Sequence, residues 1–161
     1  MGDNKLSKGI ANIDDICGMV LLDTWTLNWD RRPPEGDSRK PAYDNVLLAP
    51  DEHNDRCLWA IDHGECISVA RELNPSQVAK IDRIKKEDIY GCFDGFKPYM
   101  NKAGVEKHLR RLSALDGRAV ARILSGLPDD WEVETRTLDA VRDFLVMRGD
   151  FLRANFCTLL T

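Results

Sequence analysis

Leu22-Asp23-Thr24-Trp25-Thr26-Leu27-Asn28-Trp29-Asp30-Arg31 decides the reading of this chain, and Leu58-Trp59-Ala60-Ile61-Asp62-His63-Gly64 completes it. Between them, Asn45 stands immediately before the apolar run Val46-Leu47-Leu48. Asp30, Asn45 and Asp62 thus each fall at the edge of an apolar segment. Two carboxylates and an amide so placed suit Mg²⁺ beside a nucleotide phosphate. That hard cation prefers oxygen, keeps several waters and takes one or two carboxylates plus substrate phosphates.

Upstream of Asp30, the apolar positions Ile13, Ile16, Cys17, Val20, Leu21, Trp25 and Leu27 follow helical spacing. The spacing predicts a helix from Ile13 to about Leu27, capped by Asn12 or Asp14, with Asp14 and Asp15 at the positive end of its dipole. Asp30 then lies at the carboxyl-terminal edge, where a carboxylate does nothing for the helix. It is either a base that orients or accepts the proton of a hydroxyl nucleophile, or a loop aspartate paired with Arg31 or Arg32.

Residues 31–44 hold three prolines, a glycine and mixed charges, and predict an exposed loop. Val46-Leu47-Leu48 and Leu58-Trp59-Ala60-Ile61 read as the strands of a hairpin joined by the polar turn 49–55. Asp62 ends the second strand, where burial is costly unless a cation or hydrogen-bond donors compensate. Gly64 supplies the turn's backbone freedom. His63 reads as a hydrogen-bonded turn histidine. Asn45 is either a neutral oxygen ligand or half of an Asp44-Asn45 turn pair.

The remainder is helical. Helix starts are expected at Asn74-Pro75-Ser76-Gln77, over Lys102 to Ala114, and after Asp116-Gly117, with Val120, Ile123, Leu124 and Leu127 inward and Pro128 as the stop. A long final helix, capped by Thr135 or Thr137, carries Leu138, Val141, Phe144, Leu145, Phe151 and Leu152 on its apolar side. The fold class is α+β, predominantly helical, with one small β-hairpin. One domain is the natural count for 161 residues, with residues 1–11 as a loose leader.

With 43% hydrophobic and 31% charged residues, the composition is that of a globular chain. A net charge of −4 gives no general attraction to nucleic acid or anionic lipid. No run approaches the ~20 apolar residues needed to span a bilayer, and Met1-Gly2-Asp3-Asn4-Lys5 lacks the basic-then-apolar build of a secretory signal. A cytoplasmic location with neither membrane nor nucleic acid as partner is the expectation. The five cysteines, Cys17, Cys57, Cys66, Cys92 and Cys157, form no Cys-x-x-Cys pair and read as buried reduced thiols. Trp25, Trp29, Trp59 and Trp131 read as packing residues, and Lys107, Arg110 and Arg111 as a solvated helix face.

The order Asp-Arg, Asn-apolar-apolar, apolar-Asp-x-Gly is that of a kinase's catalytic half. In particular, residues 22–31 resemble the catalytic-loop region of HipA-like kinases, and Leu58 to Gly64 their metal-binding strand and turn. Leu127-Pro128-Asp129-Asp130-Trp131 before the last helix is similar to the helical end of that family. The resemblance covers most of residues 13–155. It implies a kinase large-lobe-like helical domain in which Asp30 is the catalytic aspartate. Asn45 and Asp62 would be the Mg²⁺ ligands and, with Gly64, would form the ATP site.

Two departures from the family pattern set further expectations. Kinases place the asparagine ~5 residues after the aspartate, whereas Asn45 lies fifteen after Asp30. Residues 31–44 therefore look like an insertion, and Asp44 is an alternative counterpart to Asn45. No glycine-rich loop or strand lysine precedes Ile13, so the expectation is a large lobe that phosphorylates a protein hydroxyl only when a second chain supplies the nucleotide lid. The alternative is a non-catalytic, pseudokinase-type interaction module that binds a partner through the same face.

Overall fold

The longest apolar stripe, from Thr135 to Leu159, folds as one 25-residue helix against which the other helices pack. The structure, a computed structural model, describes residues 9–67 and 73–160. Its helices are α1 (Ile16–Thr26), α2 (Pro75–Val78), α3 (Ile81–Ile84), α4 (Lys102–Ser113), α5 (Gly117–Leu124) and α6 (Thr135–Leu159). The strands β1 (Val46–Pro50) and β2 (Arg56–Ala60) form a two-stranded antiparallel sheet in which Leu47 faces Trp59 and Val46 faces Ala60. Predominantly helical α+β is therefore the architecture.

α1 is buried almost all round. Ile16, Cys17, Met19, Val20, Leu21, Asp23, Thr24 and Trp25 are covered, and Leu22 is exposed. A helix without a solvent stripe belongs at the centre of a core, and α1 lies between α4 and α6. Its last turn is fastened to α6 by two polar links. Trp25 Nε1 donates to the Leu145 carbonyl at 2.8 Å, and Arg148 Nε donates to the Thr24 carbonyl at 2.9 Å.

On the α4 side, Gly18 makes the close approach possible, because a β-carbon there would stand 2.5 Å from the His108 ring. His108 is buried, and desolvation pushes its pKa down, helped by Arg111 and Lys107 and opposed by Asp15, whose Oδ1 lies 3.5 Å from Nε2. The unfolded chain therefore takes up a proton near pH ~6.5, before the folded chain does. Stability should fall as pH drops from that value toward the lower folded pKa. Thermal unfolding between pH 7.5 and 5 is expected to show a shallower acid slope in His108→Gln. An unchanged slope would place the loss elsewhere.

Several local expectations are corrected. Asn12 does not cap α1; its side chain bonds both the N–H and the carbonyl of Leu58 in β2, at 2.8 and 2.9 Å. Neither Thr135 nor Thr137 caps α6, whose N-cap is Glu134 without a side-chain bond. Ile123 points outward on the short α5, which buries Val120. Trp59 and Trp131 are exposed rather than packed, and Cys157 is an exposed thiol among the five free cysteines.

Residues 1–8 of the leader lie outside the described residues. Its end is packed, with Ile10 buried and Ala11 N bonded to the Arg56 carbonyl. The 31–44 loop is only partly exposed, since Arg31, Pro33 and Pro34 are buried. Among the described residues, no helix is long and apolar enough to cross a membrane.

Candidate functional site

α1 ends on Leu27 in the left-handed conformation, φ 54°, and the N–H groups of Leu27 and Asn28 both donate to the Asp23 carbonyl. This reversal turns the chain so that Asn28, Asp30 and Arg31 return to the helix end. Asn28 is fully buried, donates Nδ2 to Asp23 Oδ1 at 3.1 Å, and accepts the Asp30 N–H on Oδ1 at 3.3 Å.

Arg31 is the hub. Its fully buried guanidinium forms an ion pair with the equally buried Asp23 carboxylate. Nε donates to the Asn45 carbonyl at 3.1 Å, Nη2 donates to the Ile61 carbonyl at 2.8 Å, and Nη2 meets His63 Nε2 at 3.2 Å. One side chain thus joins the end of α1, the entry to β1 and the exit from β2. Burial pushes the Asp23 carboxyl above its ordinary range, while the Arg31 charge and hydrogen bonds from Arg31 and Asn28 pull the other way. Gly91, φ 72°, lies directly over this carboxylate, where a β-carbon would come within 2.1 Å of Oδ2.

Around this hub the three residues singled out from sequence take their places. Asp30 is not paired with Arg31 or Arg32; its Oδ2 accepts from Asn45 Nδ2 at 2.7 Å. Asn45 is buried and in contact with Asp30, whereas Asp44 beside it is exposed. Asp62 follows β2, one residue beyond Ile61, whose N–H donates to the Asn45 carbonyl at 3.1 Å. Its carboxylate is exposed, with Oδ1 accepting the Gly64 N–H at 3.2 Å.

The positive φ expected at Gly64 falls instead on Asp62, at 54°. His63 is hydrogen-bonded in the turn, as expected. Asp23 and Arg31 were the residues that sequence reasoning missed as partners. The available signal was Asp23 itself, a carboxylate set among the apolar positions of α1.

The donors available to a cation are the two carboxylates and the Asn45 amide oxygen, whose own nitrogen is already committed to Asp30. Among the described residues, no group of three or more His, Cys, Asp or Glu side chains is arranged to share an ion. No family model matches the chain, nor does any curated protein or solved structure.

Beside the site the hairpin carries exposed apolar side chains. Leu47 and Trp59 are direct cross-strand partners, 45% and 47% exposed, and Ile61 lies two residues on from Trp59. Leu22 of α1 is exposed as well.

Proposed function

We propose that this chain is the large lobe of a HipA-like kinase, transferring the γ-phosphoryl group of ATP to a protein hydroxyl when a second chain completes the nucleotide site. The observation that carries this reading is that one buried arginine, Arg31, holds the Asn45 backbone and the two residues flanking Asp62, while the Asn45 side chain binds Asp30. Phosphoryl transfer asks the protein for positioning and charge stabilisation more than for covalent chemistry, and the Arg31 hub provides positioning.

In this assignment Asp30 orients the acceptor hydroxyl and takes its proton, and its bond from Asn45 fixes the carboxylate for that task. Asn45 Oδ1 and the Asp62 carboxylate hold Mg²⁺, which when bound supplies positive charge against the phosphates. The backbone turn at Gly64 keeps the Asp62 side chain in place. Calorimetry with Mg²⁺ and ATP tests the reading. Binding is expected to require Mg²⁺ and to weaken about tenfold or more, at least ~1.4 kcal/mol, in Asp62→Ala. Binding indifferent to both Mg²⁺ and Asp62 would refute it.

The apolar face of Leu47, Trp59 and Ile61 favours a second reading, a non-catalytic interaction module whose partner covers the hairpin. Under that reading Trp59→Ser abolishes partner binding and Asp62→Ala leaves it intact.

A further inference from the structure

The conformation of Asp62 is held from both sides by one guanidinium nitrogen. Arg31 Nη2 donates to the carbonyl of Ile61, just before Asp62, and contacts the imidazole of His63, just after it. A guanidinium has donors and no acceptor, so in this contact His63 Nε2 is the accepting atom. Between these two anchors Asp62 adopts φ 54°, a left-handed conformation uncommon for a residue with a β-carbon. Such a conformation persists where surrounding contacts over-determine it. Asp62 Oδ1 takes the Gly64 N–H, and Oδ2 has no partner among the described residues.

We propose that His63 is a positioning residue for the cation site: by accepting from Arg31 it pins the left-handed Asp62 turn and presents the free carboxylate oxygen. The Arg31 guanidinium is in turn fixed by Asp23, so the chain of positioning runs from the core to the turn. This inference rests on the assignment of Asp62 to the cation. His63 is exposed, so its replacement spares the core.

The test compares the wild-type chain with His63→Ala, His63→Gln and Asp62→Asn. One readout is the intraresidue H^N–Hα NOE of Asp62, which is strong only at positive φ. The other is Mn²⁺ affinity in the presence of ATP, followed by the electron paramagnetic resonance of free Mn²⁺. His63→Ala should lose the strong NOE and weaken Mn²⁺ binding about tenfold, the lower end of what loss of an outer-shell partner costs. His63→Gln, which keeps an acceptor, should restore both.

A strong NOE retained in His63→Ala overturns the inference, as does a failure of His63→Gln to restore it. Unchanged Mn²⁺ affinity in His63→Ala while Asp62→Asn is weakened also overturns it. If Asp62→Asn binds Mn²⁺ as the wild type does, the cation assignment fails, and the NOE still reports whether His63 sets the turn.

Discussion

Arg31→Met is expected to destabilise the protein by about 3–5 kcal/mol, the range for removing one partner of a buried ion pair. The substitution strands the Asp23 carboxylate, which is fully buried and already has one oxygen, Oδ2, without a hydrogen-bond partner. It also releases the carbonyls of Asn45 and Ile61, so β1 and β2 lose their tie to the end of α1. For a chain of this size the melting temperature should fall by roughly 10 °C. Arg31→Lys should recover only part of the loss, because a compact ammonium cannot reproduce a planar fork aimed at several acceptors. Urea denaturation of Arg31→Met, Asp23→Leu and the double variant gives the coupling directly. The double variant should be more stable than Arg31→Met alone, since removing both charges leaves no stranded carboxylate. A loss below about 1 kcal/mol in Arg31→Met would show that the pair is not what holds the site together.

The second large effect is expected at Arg148, whose guanidinium is buried with no ion-pair partner among the described residues. Nε bonds the Thr24 carbonyl, and Nη1 bonds the carbonyls of Arg83, Ile84 and Lys86 at 3.1, 2.9 and 3.0 Å. Burial pushes its pKa down to about 10, so the cation is retained against a desolvation cost. What it contributes is hydrogen bonding to backbone oxygens at the end of α1, at the end of α3 and at Lys86 just after it, of which, among the described residues, only that of Arg83 also accepts backbone N–H groups. Arg148→Met should therefore cost about 2–4 kcal/mol, with the orphaned carbonyls outweighing relief from the buried charge. Hydrogen exchange should rise across residues 83–90, where Tyr90 N also depends on Thr24 Oγ1. Protection unchanged there would show that the segment is held by its apolar contacts alone.

The helices and hairpin were legible because their patterns are local. Leu138, Val141, Phe144, Leu145 and Leu152 repeat at helical spacing along α6, and the two apolar runs flanking a polar turn declare β1 and β2. Asp30, Asn45 and Asp62 could be singled out because each stands at the edge of such a run. Their arrangement was not legible, because it depends on one buried arginine, Arg31, as the seat of α1 on α6 depends on another, Arg148. In a sequence Arg31 is one of two adjacent arginines at the mouth of a proline-rich loop, and Arg148 one of several charges on an amphipathic helix. Neither position has a local signature of burial, since each is paid for by acceptors far away in the chain.

The tryptophans show the same limit. Trp25 and Trp59 both sit in apolar context, yet Trp25 reaches α6 and Trp59 is left on the outer face of the hairpin. Local sequence places the turn's backbone freedom at Gly64, whereas the left-handed conformation falls on Asp62, whose carboxylate accepts the Gly64 N–H.

The fastening of α1 to α6 has a consequence for synthesis on the ribosome. Every residue of the candidate site lies between Asp23 and Gly64, and all of them leave the exit tunnel well before Leu145 and Arg148 are made. The nascent segment therefore emerges with the Asp23–Arg31 pair in hand but without the helix that clamps its last turn. The clamp on the last turn of α1 is consequently added late, by a helix that contributes no residue to the candidate site.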